Sequence, residues 1–126
     1  MRAVDTNVLV RLITGDDTTQ VRAAEDFVQR GAWVSHLALA EATWVLASIY
    51  QKKPSEIAGA IEMLLNHEYL TIENSEVVSL ALEKFRFKPT VGFSDCLLVE
   101  IARKAGHLPL GTFDRNLAKL DGAERL

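Results

Sequence analysis

Asp5, Glu41, Asp95 and Asp114 are the residues of this 126-residue chain whose type and setting suit chemistry. Glu41 is the only charge in LALAEATWVLASI, residues 37–49, a helical stretch apolar around nearly its whole circumference. Such a helix is expected to be buried on most sides. A carboxylate buried there unpaired would need a cation or an opening to water. The alternative is a Glu on the one exposed stripe, or one paired with an Arg, and the residues alone leave both open. Asp5 opens Asp-Thr-Asn, Asp95 sits in FSDCLL and Asp114 in GTFDRNL. Each also has a plain structural use as turn, first-turn or capping residue. Together, three or four such acids at one sheet edge would repel one another unless protons or divalent metal compensated. Oxygen-only ligation selects Mg²⁺ or Mn²⁺, ions that serve phosphoryl transfer by activating water and holding charge on phosphate.

Other chemistries find little support. His36, His67 and His107 lie far apart, none with a second ligand at helical spacing, which argues against zinc. Cys96 lies in an apolar stretch and reads as a buried small side chain. Neither a glycine-rich phosphate loop nor a serine elbow occurs. Trp33 and Trp44, both in apolar segments, are expected in the core and not as base-stacking platforms.

The acids need elements to hold them. Arg2 to Asp5 reads as a first strand, Val8 to Ile13 as a brief helix closed by Gly15. Asp17 and Gln20 form a capping pair for a helix to about Arg30, with Val21, Ala24, Phe27 and Val28 on one face. Trp33-Val34 is a second strand, and Ser35 caps a long helix from Leu37 to about Tyr50. Pro54 and Ser55 open the next helix, and Leu70 to Ile72 is a third strand. Asn74 or Ser75 starts a helix with Val77, Val78, Ala81, Leu82 and Phe85 inward. Ser94 is expected to cap a helix through Ala105, stopped by Gly106. Leu108 to Thr112 is a fourth strand, Arg115 to Leu120 a short helix, and the terminus an edge strand. Alternation of this kind predicts an α/β layered domain with a largely parallel sheet. If strands one, two and four were neighbours, the four acids would meet at the sheet's carboxyl edge.

At 48% apolar and 25% charged residues with one cysteine, the chain is expected to be one domain, residues 1–126, with its own core and no disulfide framework. The opening MRAVDTNVL lacks a signal-peptide layout and no apolar run reaches membrane-spanning length, so a cytoplasmic protein without membrane association is the expectation. The 14 basic and 17 acidic residues give a net charge of −3, which read alone argues against a protein that grips nucleic acid through a general basic field. Setting aside four acids from the 17 leaves 13 against 14 basic, so the excess is better read as a concentrated pocket.

With Asp5-Thr6-Asn7 after an opening strand, the Glu41 helix after Ser35, then FSDCLL and GTFDRNL, the chain resembles the PIN domain over its full length. The VapC-type toxins of toxin–antitoxin pairs are the most similar group. The resemblance implies a Rossmann-like three-layer α/β/α sandwich with a central, mainly parallel sheet, and a Mg²⁺-dependent endoribonuclease, commonly a homodimer. It implies Asp5, Glu41, Asp95 and Asp114 as catalytic, metal-binding acids, with Asn7 and Thr112 as supporting polar residues. RNA would be cut by metal-activated water, and Mn²⁺ could replace Mg²⁺. A cognate VapB-type antitoxin would be the protein partner. Arg11, Arg86, Lys88 and Arg115 are candidates to hold RNA at the rim, though each also reads as ordinary solvated surface. A receiver domain would need an acceptor Asp after strand three, where only Glu73 stands, and a dehalogenase-type phosphatase would need Asp at position 7. The remaining rival is a non-catalytic PIN-like scaffold that binds RNA or a partner.

Overall fold

The computed structural model describes all residues, 1–126, and they divide into two compact units, Met1–Ser75 and Glu76–Leu126. In the first, β1 (Arg2–Ala3) leads to α1 (Thr6–Thr14) and α2 (Thr18–Val28). β2 (Ala32–Val34), α3 (His36–Ser48), α4 (Pro54–Leu65) and β3 (Leu70–Ile72) follow. The strands form a parallel sheet in the order β1-β2-β3, with Ala3 opposite Trp33 and Val34 opposite Ile72. Parallel neighbours need long crossovers, and two helices fill each of them. The architecture is the expected mixed α/β class, a parallel sheet flanked by helices.

Local signals explain most boundaries. Asp5 caps α1 by accepting from the Val8 amide at 3.1 Å, and Gly15 ends the helix in the left-handed region at φ 65°. Asp17 caps α2 through the Gln20 amide at 3.0 Å, while the Gln20 side chain turns instead to the Arg11 guanidinium. Ser35 caps α3 through Ala38 at 3.1 Å, and Pro54 occupies the first turn of α4. Leu9, Val34, Leu39, Leu46, Ile61 and Leu64 are fully buried and form the core of this unit. At roughly 1.5–3 kcal/mol for each buried side chain of this size, that cluster is a large favourable term.

α3 departs from expectation. Only Ala38, Leu39, Ala42, Thr43 and Leu46 are buried, whereas Leu37, Trp44 and Ile49 are exposed. Apolar composition therefore overstated its burial. The helix packs on one face, against α1 and α4, and leaves an apolar stripe to solvent. Trp44 is 63% exposed and Trp33 is 37% exposed, so neither belongs to the core as expected.

The second unit holds α5 (Ser75–Phe87, whose first residue ends the first unit), α6 (Phe93–Ala105), β4 (Leu110–Thr112), a 3₁₀ turn (Leu117–Lys119) and β5 (Ala123–Arg125). The predicted inward set of α5, from Val77 to Phe85, is buried, and Phe85 meets Phe93 edge-on at 6.1 Å between ring centres. Glu100 is a buried charge, and Arg103 one turn on pairs with it at 3.0 Å. α6 begins one residue before Ser94: Gly92 is its cap, and no side chain caps it. β4 pairs in parallel with β5, Thr112 opposite Arg125, so the terminal strand expected from the sequence is present. The supposition that strands one, two and four are neighbours is met for β1 and β2, while β4 has β5 as its hydrogen-bonded partner.

Candidate active site

In the first unit the carboxyl ends of three parallel strands open on one edge, and the residues just past them are Asp5, Ser35-His36 and Glu73. Asp5 is exposed, and capping occupies only its Oδ1, which leaves Oδ2 unused. Glu41 is exposed on α3, on the stripe that also carries Leu37 and Trp44. Of the two readings of this residue, the buried carboxylate fails and the exposed stripe holds, with no Arg as its partner. Its Oε2 accepts a 2.8 Å hydrogen bond from the Thr6 hydroxyl, and Thr6 is the neighbour of Asp5. The packing of α1 on α3 thus brings the hydroxyl of the residue after Asp5 onto Glu41. Thr6 carried no sequence signal, because its partner lies 35 residues away.

Asn7 is exposed and lines a groove between α1 and α2 with Val8, Arg11, Ala24 and Phe27. Arg11 is committed within the unit: it donates to Tyr50 Oη and Asp16 Oδ1, both at 3.0 Å, and to Gln20. Tyr50 in turn donates to Asp16 Oδ2 at 2.7 Å. These bonds, with Tyr50 first, then Thr14, and the Arg11 charge as a smaller cause, hold Asp16 below the usual carboxylate range. On the sheet edge, Glu73 Oε1 accepts from the His36 amide at 2.8 Å.

In the second unit Asp95 lies half-buried in the first turn of α6, and Asp114 is exposed beyond β4. Burial first, and then the charge of Asp114, push the Asp95 carboxyl above its ordinary value. The first-turn position favours a negative charge, so that benefit is outweighed here. Asp114 is positioned firmly. Its Oδ1 accepts from the amides of Asn116 at 2.7 Å and Leu117 at 3.1 Å, and its own amide donates to Thr112 Oγ1 at 3.0 Å. Thr112 thus holds the Asp114 backbone, and the Asp114 carboxylate also serves as the cap the sequence suggested. Cys96 is fully buried and its thiol is pushed up to about 11, chiefly by burial, which makes it packing and not a nucleophile. Arg115 and Arg86 are exposed, and Lys88 donates to the Lys119 carbonyl at 2.9 Å.

No group of three or more His, Cys, Asp or Glu side chains is gathered as a metal cage. The Asp95–Asp114 pair nonetheless fits a hard divalent cation. The Asp95 carboxylate, disfavoured by burial and by the charge of Asp114, would be relieved by a cation, and Mg²⁺ characteristically takes one or two carboxylates while keeping several waters.

Residues 2–123 match the PIN domain family, and the chain belongs to it. PIN domains are generally nucleases, usually dependent on divalent metal. Neither a curated protein nor a solved structure matches the chain. No helix is long and apolar enough to cross a membrane.

Proposed function

We propose that this protein is a Mg²⁺-dependent endoribonuclease acting as the toxin of a VapBC-type toxin–antitoxin pair, with Asp5, Glu41, Asp95 and Asp114 as its metal-binding acids. Beyond membership of the family, the observation that carries this reading is the half-buried Asp95 carboxyl, raised by burial and then by the charge of Asp114. Bound Mg²⁺, or Mn²⁺ in its place, would supply positive charge to the scissile phosphate and a more acidic water. The chain's own residues do the positioning. Thr6 holds Glu41 in one orientation, and the amides of Asn116 and Leu117 hold Asp114 by one oxygen and leave the other open. Arg115, exposed beside Asp114, is the cation best placed to meet RNA phosphate, with Arg86 a second. The partners are RNA and a VapB-type antitoxin, and the working form is a homodimer of one PIN domain per chain in the cytoplasm.

Incubating RNA with the purified protein in Mg²⁺ or excess chelator, beside Asp5→Ala and Asp95→Ala, tests this. Cleavage that stops with chelator and in both variants is expected. Equal cleavage by the variants would overturn the assignment, and tight binding without cleavage by any form would make the protein a scaffold.

A further inference from the structure

In the second unit, the last turn of α5 and the segment that leads into β5 enclose a cavity of about 420 Å³. Neither Asp95 nor Asp114 lines it, but three lysines do. Lys84 and Lys88 lie four residues apart, and the Lys88 amide donates to the Lys84 carbonyl at 2.8 Å, so helical spacing puts both on one face. The Lys88 ammonium donates to the Lys119 carbonyl at 2.9 Å, which brings the third lysine in from the 3₁₀ turn. The one carboxylate of the lining, Asp121, lies 3.9 Å from the Arg103 guanidinium, so a fourth cation shares its charge. No ion pair engages Lys84, Lys88 or Lys119. Cations suit the last turn of a helix, which accounts for Lys84 but not for its convergence with Lys119 from another element. Both walls are fixed in advance. The Lys88 bond ties α5 to the 3₁₀ turn, and Arg103 donates to the Asp121 carbonyl at 2.8 Å. Gly122 passes against that guanidinium at φ 96°, where a Cβ would stand 3.0 Å from it.

We propose that this cavity is a phosphate-binding site, separate from the proposed metal-binding acids and independent of the nuclease reading. Three like charges held together raise one another's energy, and a multiply charged anion relieves more of that than a single carboxylate does. An ammonium meets phosphate as a point charge, without the two-pronged geometry that arginine offers a carboxylate. The volume falls in the range of small-molecule pockets and is too small for a folded partner. Phe87 adds an apolar wall beside the charges, which the ring of a nucleoside can cover. The ligand class that follows is a phosphate group, carried by a small molecule of mononucleotide size or by a nucleic-acid backbone.

Metal-free protein in excess chelator, titrated with pyrophosphate or with AMP at constant ionic strength, tests this by calorimetry and by melting temperature. Saturable binding is expected, with a melting temperature a few degrees above that in chloride alone. Lys84→Gln/Lys119→Gln protein, altered only at exposed side chains and so keeping the fold, should bind pyrophosphate about tenfold more weakly. A labelled single-stranded oligoribonucleotide in the same chelator separates the two sources of phosphate. If pyrophosphate displaces it and the double variant loses affinity for it, the phosphate is that of a backbone. If parent and variant bind it equally while differing toward pyrophosphate or AMP, the ligand is a free small molecule. Equal pyrophosphate binding by parent and variant would overturn the site, as would a melting temperature no higher than in chloride. So would an oligoglutamate peptide that displaces pyrophosphate at a lower concentration than AMP does, since the occupant would then be an acidic protein segment. RNA cleavage that survives chelator would break the nuclease reading and leave each of these pyrophosphate results unchanged.

Discussion

The acids of the first unit and those of the second are the same chemistry in different electrical circumstances. Asp5 and Glu41 are exposed, and each already has a neutral donor, the Val8 amide for one and the Thr6 hydroxyl for the other. Asp95 is half-buried, and burial together with the charge of Asp114 disfavours its charged form. Hydrogen bonds orient Asp5 and Glu41, while Asp95 carries a penalty that a proton or a cation would relieve. On the proposed assignment, the contrast would give cation affinity chiefly to Asp95 and Asp114, and orientation of an outer ligand chiefly to Thr6 and Glu41.

The sharpest way to break that contrast is through Thr6. Thr6→Val should lower cleavage about 10–100-fold, as loss of a hydrogen bond to a metal-binding group does, while costing about 1 kcal/mol of stability. Cleavage rates beside denaturant melts would check it, and an unchanged rate would show that Glu41 needs no support. A smaller effect is expected from Asp95→Asn, which removes one of the two repelling charges. It should raise the metal-free melting temperature by a few degrees and shrink the rise that Mg²⁺ produces. A fall in metal-free stability would mean that the helix dipole outweighs the repulsion after all.

The smallest effects concern pH, and the two units differ in sign. Asp16 has a depressed folded pKa, so its stabilisation is present above the unfolded value and is lost as pH falls through the folded one. Asp95 has a raised folded pKa, so its penalty is absent below the unfolded value and grows as pH rises through the folded one. Metal-free melting curves across the acid range should therefore flatten on the high side in Asp95→Asn and on the low side in Asp16→Asn. Overlay of either variant with the parent curve would remove that group from the account.

How much could be read beforehand follows from the range of each interaction. The caps Asp17 and Ser35, the bounds of β3 and the buried face of α5 depend on residues within a turn or two, and the structure has them where the sequence predicts. Ser94 was outcompeted by Gly92, whose extended backbone starts α6 without any side-chain bond, and sequence pattern favours the hydroxyl. α3 is less buried than its sequence predicts because apolar composition does not reveal which face finds a neighbour. The partnership of β4 with β5 and the bond from Thr6 to Glu41 join distant segments, and neither leaves a periodic trace. Among the acids, setting was legible and electrical state was not: that Asp95 would be strained by Asp114 depends on burial.

One consequence concerns Asp5 and Asp114, each of which caps with Oδ1 and has Oδ2 to spare. Asparagine is as good a cap as aspartate, because its amide oxygen accepts the same backbone bonds. An isosteric Asn at either position would preserve the fold while deleting the anion. On the proposed reading, loss of cutting and loss of the fold are thus separable by one atom, and the architecture could stay intact as a binding module.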